Sequence, residues 1–282
     1  MCVTLRPRSE PTEVTNVPST LELEFVLIPA GEFIIGSARS DRQAQPDERP
    51  QHRLRVTDFH ILRYPVTNAQ YRQFVQATGH RTPLYWHEGQ FPADKADVPV
   101  VGVALEDAIA FCDWAAQVSG LPIRLPTEPE WEKAARGDDG RMYPWGNEWK
   151  PGVCNSSESR LGGACTVARF SPQGDSVYGV ADMAGNVQEW CLSLFGPYPY
   201  DPGDGREALV YDRGAASLMP RLHETGCVAD PQRIEASLGK QVIRGGSWRE
   251  SRNQCRCAYR SWAAPMHRSD DTGFRCVYEP QG

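Results

Sequence analysis

The sequence near the C-terminus, from Arg244 to Val277, reads R-G-G-S-W-R-E-S-R-N-Q-C-R-C-A-Y-R-S-W-A-A-P-M-H-R-S-D-D-T-G-F-R-C-V. Its ends predict ordinary structure, because Gly245 and Gly246 allow backbone conformations closed to other residues, and residues 273–277 are typical of a turn into a strand. The residues between follow neither a helical nor a strand period and mix aromatic, charged and amide side chains. That mixture is typical of a recognition surface, and an irregular surface loop is the alternative.

The composition of the whole chain predicts a loop-rich protein with short strands and few helices. Its 282 residues include 25 glycines, 23 prolines and eight tryptophans, and glycine and proline interrupt regular elements. No linker or repeat divides the chain. We therefore expect residues 1–20 to be a flexible lead-in and residues 21–282 to form a single domain, with an insert at about 201–240.

Charge and hydropathy argue against two classes of partner. The net charge of −6 offers no electrostatic attraction for nucleic acid, and no apolar run approaches the ~20 residues that cross a bilayer. The N-terminal residues lack the apolar core of a secretory signal, so a chain that starts natively at Met1 is expected in the cytoplasm. Display on a surface by another route stays open. The nine cysteines are an odd number, so at least one is unpaired within the chain.

Apolar alternation and helix-capping residues predict the order of the secondary structure elements. Threonine is a favoured N-cap, and glycine commonly follows the last turn of a helix. The predicted elements are strands within 23–36 and 53–63 and helices at about 68–78 (after Thr67), at about 105–119 (before Gly120) and from Thr127 to Gly137.

Seven motifs carry a resemblance to a known family. They are P-A-G-E-F at 29–33, P-V-T-N-A-Q-Y at 65–71, R-L-P-T-E-P-E-W-E-K-A-A-R-G at 124–137, Y-P-W-G-N at 143–147, G-N-V-Q-E-W at 185–190, R-G-G-S-W at 244–248 and G-F-R-C at 273–276. In this order they closely resemble the formylglycine-generating-enzyme (sulfatase-modifying factor) family. The resemblance implies an α+β variant of the C-type lectin fold, with short strands, few helices and much irregular structure.

Members of this family differ in function, so the resemblance leaves several functions open. They include copper oxidases that convert a substrate cysteine to formylglycine, and non-haem-iron sulfoxide synthases. They also include binding proteins without catalysis, among them the variable proteins of diversity-generating retroelements. The six histidines of this chain show no spacing for an iron site, which argues against the sulfoxide synthases.

The resemblance to the oxidases implies two thiolates on one copper ion, since soft sulfur selects Cu(I). The sequence R-C-A-Y-R-S at 256–261 matches the second family cysteine at Cys257, but Arg252 stands five residues earlier, where the first is expected. Cys255 is the alternative first ligand. On an extended segment Cys255 and Cys257 would share a face about 7 Å apart and would form the catalytic pair. Two partly buried thiols without copper are the other interpretation.

The resemblance to the variable proteins accounts best for the mixed middle of the segment. In those proteins adenine-rich codons, largely Asn codons, are randomised while scaffold codons stay fixed. Most of the sites predicted here can be reached from an Asn codon by changing adenines, but Trp262 cannot. The scaffold positions are Arg256, Ala258, Arg260, Pro265 and Arg268. The predicted ligand-binding residues are Arg249, Glu250, Ser251, Tyr259, Ser261, Trp262, Ala264, His267, Ser269, Asp270 and Asp271.

These patterns predict a non-catalytic protein that displays a variable binding surface to an unknown protein or other macromolecular ligand. A copper-dependent formylglycine-generating oxidase that acts on a protein cysteine is the alternative.

The resemblance also implies structural calcium, a hard cation that prefers oxygen ligands. Carried over to this chain, the ligands are the side chains of Asp182 and Glu189 and the backbone oxygens of Gly185 and Val187. A salt bridge between Glu189 and a core arginine is the alternative. A second family site maps to Asn155, Ser156 and Leu161, and Ser159 replaces its acidic ligand.

The resemblance bears on the cysteines as well. Cys112 and Cys276 match a disulfide found in some secreted members, although in a cytoplasmic chain they would be adjacent thiols. Cys154 and Cys165 flank a loop and could also pair.

Overall fold

The computed structural model describes residues 21–207 and 239–280, together with three short strands outside those ranges. These parts of the chain form twelve β-strands and three α-helices. The strands are β1 (Cys2–Val3), β2 (Leu23–Ile28), β3 (Gly31–Ile35), β4 (His52–Val56), β5 (Phe59–Leu62), β6 (Gln188–Leu194), β7 (Leu209–Val210), β8 (Arg221–Leu222), β9 (Gln241–Arg244), β10 (Arg260–Ala263), β11 (Thr272–Gly273) and β12 (Val277–Tyr278). The helices are α1 (Asn68–Thr78), α2 (Leu105–Ser119) and α3 (Glu128–Arg136).

Eight strands form two four-stranded sheets. The first sheet has the order β1-β2-β5-β12 and the second has the order β10-β9-β6-β11. Neighbouring strands are antiparallel except β11 and β6, which run parallel. Two further antiparallel pairs join β3 to β4 and β7 to β8. Because β10, β11 and β12 all follow residue 259, the C-terminal segment contributes strands to both sheets.

The structure describes parts of the chain start and of the insert. Cys2 pairs with Glu24 and Val3 pairs with Leu23, so a two-residue strand lies within the predicted lead-in. Residues 4–20 lie outside the described residues. Of the insert predicted at about 201–240, the structure describes residues 201–207, 239–240, β7 and β8.

The helices begin and end where their capping signals predict. Thr67 Oγ1 accepts a hydrogen bond from Gln70 N (3.3 Å), and the Gln70 side chain accepts one from Thr67 N (2.9 Å). This reciprocal capping box satisfies donors that the first helical turn leaves free. The same arrangement joins Thr127 and Glu130 at the start of α3. The predicted bounds of α1 and α2 are confirmed.

The helices and sheets enclose two large apolar clusters. One contains residues of α1 and α2 with Phe274 and Trp190, and the other places Trp131 of α3 against residues of both sheets. Trp131 and Trp190 are completely buried, and large aromatic rings contribute much of the apolar area that stabilises a core. Within the described ranges, the helices are all too short or too polar to traverse a lipid bilayer.

Candidate functional site

Four buried arginines hold the segment 244–277 in place. Each is at most 2% exposed and donates to a carboxylate from a distant part of the chain. Removing one partner of such a pair leaves an uncompensated buried charge, which is strongly destabilising. The pairs are Arg256 with Glu48 (2.6 and 2.7 Å), Arg260 with Glu128 (2.6 and 2.8 Å), Arg275 with Glu189 (2.6 and 2.7 Å) and Arg244 with Glu132.

The turn that follows β9 requires glycine. Gly246 has a φ of 67°, and a Cβ atom there would lie 2.8 Å from the carbonyl oxygen of Gln254. A contact that short is not compatible with a side chain, so only glycine lets the loop fold back on itself. The loop of residues 247–254 therefore leaves the sheet at a fixed point.

Most of the predicted ligand-binding residues lie at the surface of this scaffold. Arg249, Trp262, Ala264 and His267 are exposed, and six more are half-buried, namely Glu250, Ser251, Tyr259, Ser261, Ser269 and Asp270. The predicted scaffold residues Arg256, Ala258 and Arg260 are instead buried, at 1%, 3% and 2% exposure.

The structure corrects the prediction that Asp271 is a ligand-binding residue at the surface, because this side chain is buried. It is 7% exposed and accepts hydrogen bonds from Ser247 Oγ (2.8 Å) and from Ser269 Oγ. A buried carboxylate needs such donors. Asp271 thus positions the two ends of the segment and does not offer a surface contact.

The exposed residues form two groups. Arg249 forms an ion pair with Asp270 and lies 4.4 Å from the ring centre of Trp248. Trp262, on the edge strand β10, is 46% exposed, and Lys240 lies over its ring at 5.1 Å. The structure therefore brings residues 249–251 and 269–270 together and places Trp262 with Lys240 in a second group.

Two buried carboxylates lie near Tyr259. Asp47 Oδ1 and Glu250 Oε2 are buried atoms without a hydrogen-bond partner among the described residues. Burial, followed by the charge of Asp271, raises the pKa of Glu250 to about 7. Burial also raises the pKa of Tyr259, and Glu250 and Asp47 add to that effect.

Sequence reasoning missed Asp47, which lies in a charged loop with no periodicity that would place it. It also missed Tyr85, which is 49% exposed. Its phenol affects the pKa of Arg249, so Tyr85 borders the first group. A half-exposed aromatic side chain beside a charged pair is a common feature of binding surfaces.

The two candidate copper ligands do not share a site. Residues 252–258 form turns rather than an extended strand, so strand alternation does not apply to them. Cys255 lies in a small cluster with Cys154 and Ala184, whereas Cys257 lies in the cluster of Trp131. Both thiols are completely buried. Cys255 and Cys257 therefore do not fit a two-thiolate copper ion.

The candidate calcium ligands show a mixed fit. Both carboxylate oxygens of Glu189 accept from Arg275, and Trp131 Nε1 also donates to Glu189 (2.9 Å). This is the core ion pair that the sequence left as an alternative, and an ion bound by Glu189 would have to displace Arg275. Asp182 is freer: one oxygen accepts from Ala168 N (2.7 Å), and burial raises its pKa to about 6.

The second predicted calcium segment lies directly beside the first. Asn155 forms a parallel bridge with Gly185, and Val187 follows two residues later. Asn155 Oδ1 accepts from Ser159 Oγ (2.8 Å), and Ser156 is buried, at 1% exposure. In the described ranges, we find no group of three or more His, Cys, Asp or Glu side chains arranged for a metal ion. Backbone oxygens would have to supply most of a calcium shell.

The cysteine pairs differ in part from expectation. Cys112 and Cys276 are adjacent, with their sulfurs 3.5 Å apart. Cys154 packs in one small cluster with Cys255, whereas the backbone N–H of Cys165 donates to Asn186 Oδ1 (2.9 Å).

Together the fold and site define a class of protein, an α+β domain of short strands whose buried arginines carry a surface segment. Residues 10–280 match the family described as the sulfatase-modifying factor enzyme 1-like domain. The chain belongs to this family, and both the resemblance and the predicted fold class are confirmed.

Relatives and solved structures of this fold carry different names. The chain is 30% identical to a formylglycine-generating enzyme of Thermomonospora curvata over 97% of both chains. It is 33% identical to a formylglycine-generating enzyme of Mycobacterium tuberculosis, over 91% of this chain and 98% of the relative. The structure of Treponema denticola variable protein 1 superposes with a TM-score of 0.68 at 20% identity, over 95% of this chain and 99% of that chain, which shows the shared fold.

The names of the sequence relatives support the oxidase alternative better than the binding prediction. The positions of Cys255 and Cys257 in different clusters support the binding prediction instead.

Proposed function

We propose that this chain is a non-catalytic binding protein that presents the side chains of residues 249–270 on a fixed scaffold. One observation carries the proposal: a buried frame within the segment is flanked by side chains that reach solvent. Residues 255–258 and Arg260 are interior, whereas residues 249–251, Tyr259, Ser261 and Trp262 are exposed or half-buried. Replacing surface side chains usually changes stability little, so such a surface can change its ligand and keep its fold.

The ligand that this surface favours is a protein or another macromolecule. Trp262, Tyr85 and Arg249 are exposed, and aromatic rings and arginine are enriched at the energetic centres of protein interfaces. The finer proposal is that the segment varies between copies of the gene, as the name of the Treponema protein suggests.

A combined surface variant tests the display proposal. Arg249, Tyr259, Ser261, Trp262, His267 and Asp270 are replaced together by alanine or serine, which removes the Arg249–Asp270 pair as a unit. We expect the Tm to shift by only a few degrees, because each surface change costs within ~0.5 kcal/mol. Failure of this variant to fold, with wild type folded beside it, would show that the segment is core.

Sequencing the DNA around the gene tests the finer proposal. A reverse transcriptase gene and a near-copy of the segment encoding residues 244–277 are expected nearby. A sulfatase gene in their place would support the oxidase.

The oxidase is a second candidate, favoured by the identity to formylglycine-generating enzymes over nearly the whole chain. Its test is incubation of the Cu(I)-treated protein with a sulfatase-derived cysteine peptide, with the aldehyde detected by mass spectrometry. We expect no aldehyde, because Cys255 and Cys257 lie in different clusters. Aldehyde formation that is lost in Cys257→Ser would overturn the binding proposal.

Calcium is proposed as a structural ion near Asp182, Gly185, Val187, Asn155 and Ser156, without Glu189. The bridge between Asn155 and Gly185, which joins the two segments, supports this proposal. Excess calcium should raise the Tm relative to EGTA. Asp182→Asn should abolish the rise, since asparagine tolerates the φ of 56° at this position. Equal Tm values for wild type in calcium and in EGTA would contradict it.

A further inference from the structure

Cys154 and Cys255 come from loops far apart in sequence and meet in one small cluster. Both belong to one buried cluster with Ala184, and Trp145 and Trp149 pack against that cluster. Cys255 is completely buried and Cys154 is 5% exposed. Both are free thiols.

Two hydrogen bonds already join the loops that carry these cysteines. Ser157 N donates to Glu250 O (2.9 Å), and Arg252 N donates to Glu158 Oε1 (3.0 Å). These bonds lie within a few residues of each cysteine and keep the two loops adjacent. An approach of the two loops would bring the sulfurs of the shared cluster to the ~2 Å of a disulfide bond.

We propose that Cys154 and Cys255 form a reversible disulfide that ties the loop 153–160 to the loop 249–256. The oxidant is a small-molecule disulfide. Its exchange with the protein breaks two S–H bonds and the small disulfide, forms one protein S–S bond and releases two small thiols. This redox property goes beyond the proposed binding function and does not depend on it.

The two sulfurs have different access, which sets the order of the reaction. Cys154 lies at a narrow crevice lined by Val153, Phe170 and Asp182, so it is the sulfur that meets the oxidant. Cys255 has no exposed surface and displaces the small thiol from the mixed disulfide. The hydrogen bond to Cys154 and burial raise the pKa of Cys255, and Glu250 and Glu158 add to this. Both loops must open slightly for exchange, so the pair reacts more slowly than a surface thiol.

The disulfide would act on the binding surface, because Arg249, Glu250 and Ser251 lie on one of the two tied loops. Cross-linking residues this far apart in sequence restricts the unfolded chain strongly, and we expect oxidation to raise the Tm by roughly 5–10 °C. Amide hydrogen exchange in residues 247–256 should slow in the oxidised protein.

Peptide mapping of the folded wild-type protein tests the proposal directly. The protein is incubated with oxidised glutathione, its free thiols are alkylated, and it is digested with trypsin. Trypsin cuts after Arg141 and Arg160 and after Arg252 and Arg256, so Cys154 falls in peptide 142–160 and Cys255 in peptide 253–256. Cys257 and Cys165 fall in separate peptides, 257–260 and 161–169. The expected product is a cross-link between peptides 142–160 and 253–256 that dithiothreitol reverses.

Matched cysteine variants separate this pair from its neighbours. Cys165→Ser and Cys257→Ser alter other buried thiols and should keep the cross-link, whereas Cys154→Ser should abolish both the cross-link and the rise in Tm. The proposal is overturned if folded wild type keeps Cys154 and Cys255 alkylatable after oxidation. It is also overturned if the cross-link forms only in urea, or if Cys255 couples to a different peptide.

Discussion

Arg260 shows how a residue within the recognition segment can serve the fold. Its guanidinium donates to both carboxylate oxygens of Glu128, and its planar group lies 3.9 Å from the ring centre of Tyr198. Ser261, the next residue on β10, is half-buried. The same short strand therefore offers a scaffold position and a surface position for direct comparison.

We predict that Arg260→Ala lowers the free energy of unfolding by ~3–5 kcal/mol, because it leaves Glu128 charged and buried without its main partner. Ser261→Ala is the matched control and should stay within ~0.5 kcal/mol of wild type. Urea unfolding measures both. Equal stabilities for the two variants would refute the division into scaffold and surface.

Glu250 makes stability depend on pH. Its pKa rises from an ordinary 4.5 to about 7 on folding, so the folded carboxyl keeps its proton at a pH where the unfolded one has lost it. The free energy of unfolding contributed by Glu250 is thus present below about pH 4.5 and is lost as pH rises through 7. Glu250→Gln should be more stable than wild type at pH 8, by on the order of 2 kcal/mol.

The measurement for Glu250→Gln is urea unfolding at pH 4 and pH 8. The advantage of the variant should vanish at pH 4, where the wild-type carboxyl is protonated in both states. Ser251→Ala serves as the control and should show no such difference between the two pH values. An advantage of Glu250→Gln that is equal at both pH values would contradict the titration of Glu250.

At the scale of elements, the cap of α3 links helix formation to the scaffold. Thr127 Oγ1 donates to Glu130 Oε2 (2.9 Å) and accepts from Glu130 N. The helix supplies Glu128 and Glu132 to the buried arginines. Loss of the cap should therefore weaken both the helix and the pairs that it holds.

Thr127→Ala should cost about 1–2 kcal/mol of unfolding free energy, the usual range for an N-cap. Thr166→Ala removes a hydroxyl from an exposed threonine and is expected to have almost no effect. Thermal melts followed by circular dichroism compare the two. A loss for Thr127→Ala no larger than that for Thr166→Ala would show that the cap is dispensable.

Local signals explain which elements the sequence could predict. Thr67, Thr127 and the glycines that end α1 and α2 act within a few residues of their own helix, so the helix bounds followed from short motifs. Strand β10 was missed because buried Arg260 replaces the apolar residue that a strand pattern requires, and its partner Glu128 is 132 positions away.

The site required information that only folding supplies. The surface positions could be proposed from the scaffold positions that the family resemblance implies. The burial of Asp271, in contrast, depends on its contact with Ser247. Likewise, the contact of Cys154 with Cys255, and the turn that separates Cys255 from Cys257, arise when distant loops meet. The spacing of residues along the sequence does not indicate these contacts between distant loops.

At the scale of the whole molecule, the C-terminal segment joins the two sheets. It places β10 and β11 in the second sheet and β12 in the first. Phe274 lies between β11 and β12, is completely buried, and packs against Phe111 at 5.4 Å between ring centres. Its carbonyl also accepts from Val66 N (2.9 Å). One residue thus stands where both sheets and the helical cluster meet.

We therefore predict that the two sheets unfold together and that Phe274→Ala weakens both equally. The lost aromatic ring leaves a cavity, and such truncations cost about 3–5 kcal/mol. Hydrogen exchange of the backbone amides of Ile61 in β5 and Trp190 in β6 reports on the two sheets separately. Both should lose protection by the same free energy, whereas Leu84→Ala, at a 56% exposed site, should change neither. If only Ile61 loses protection, the sheets unfold independently and the C-terminal segment does not couple them.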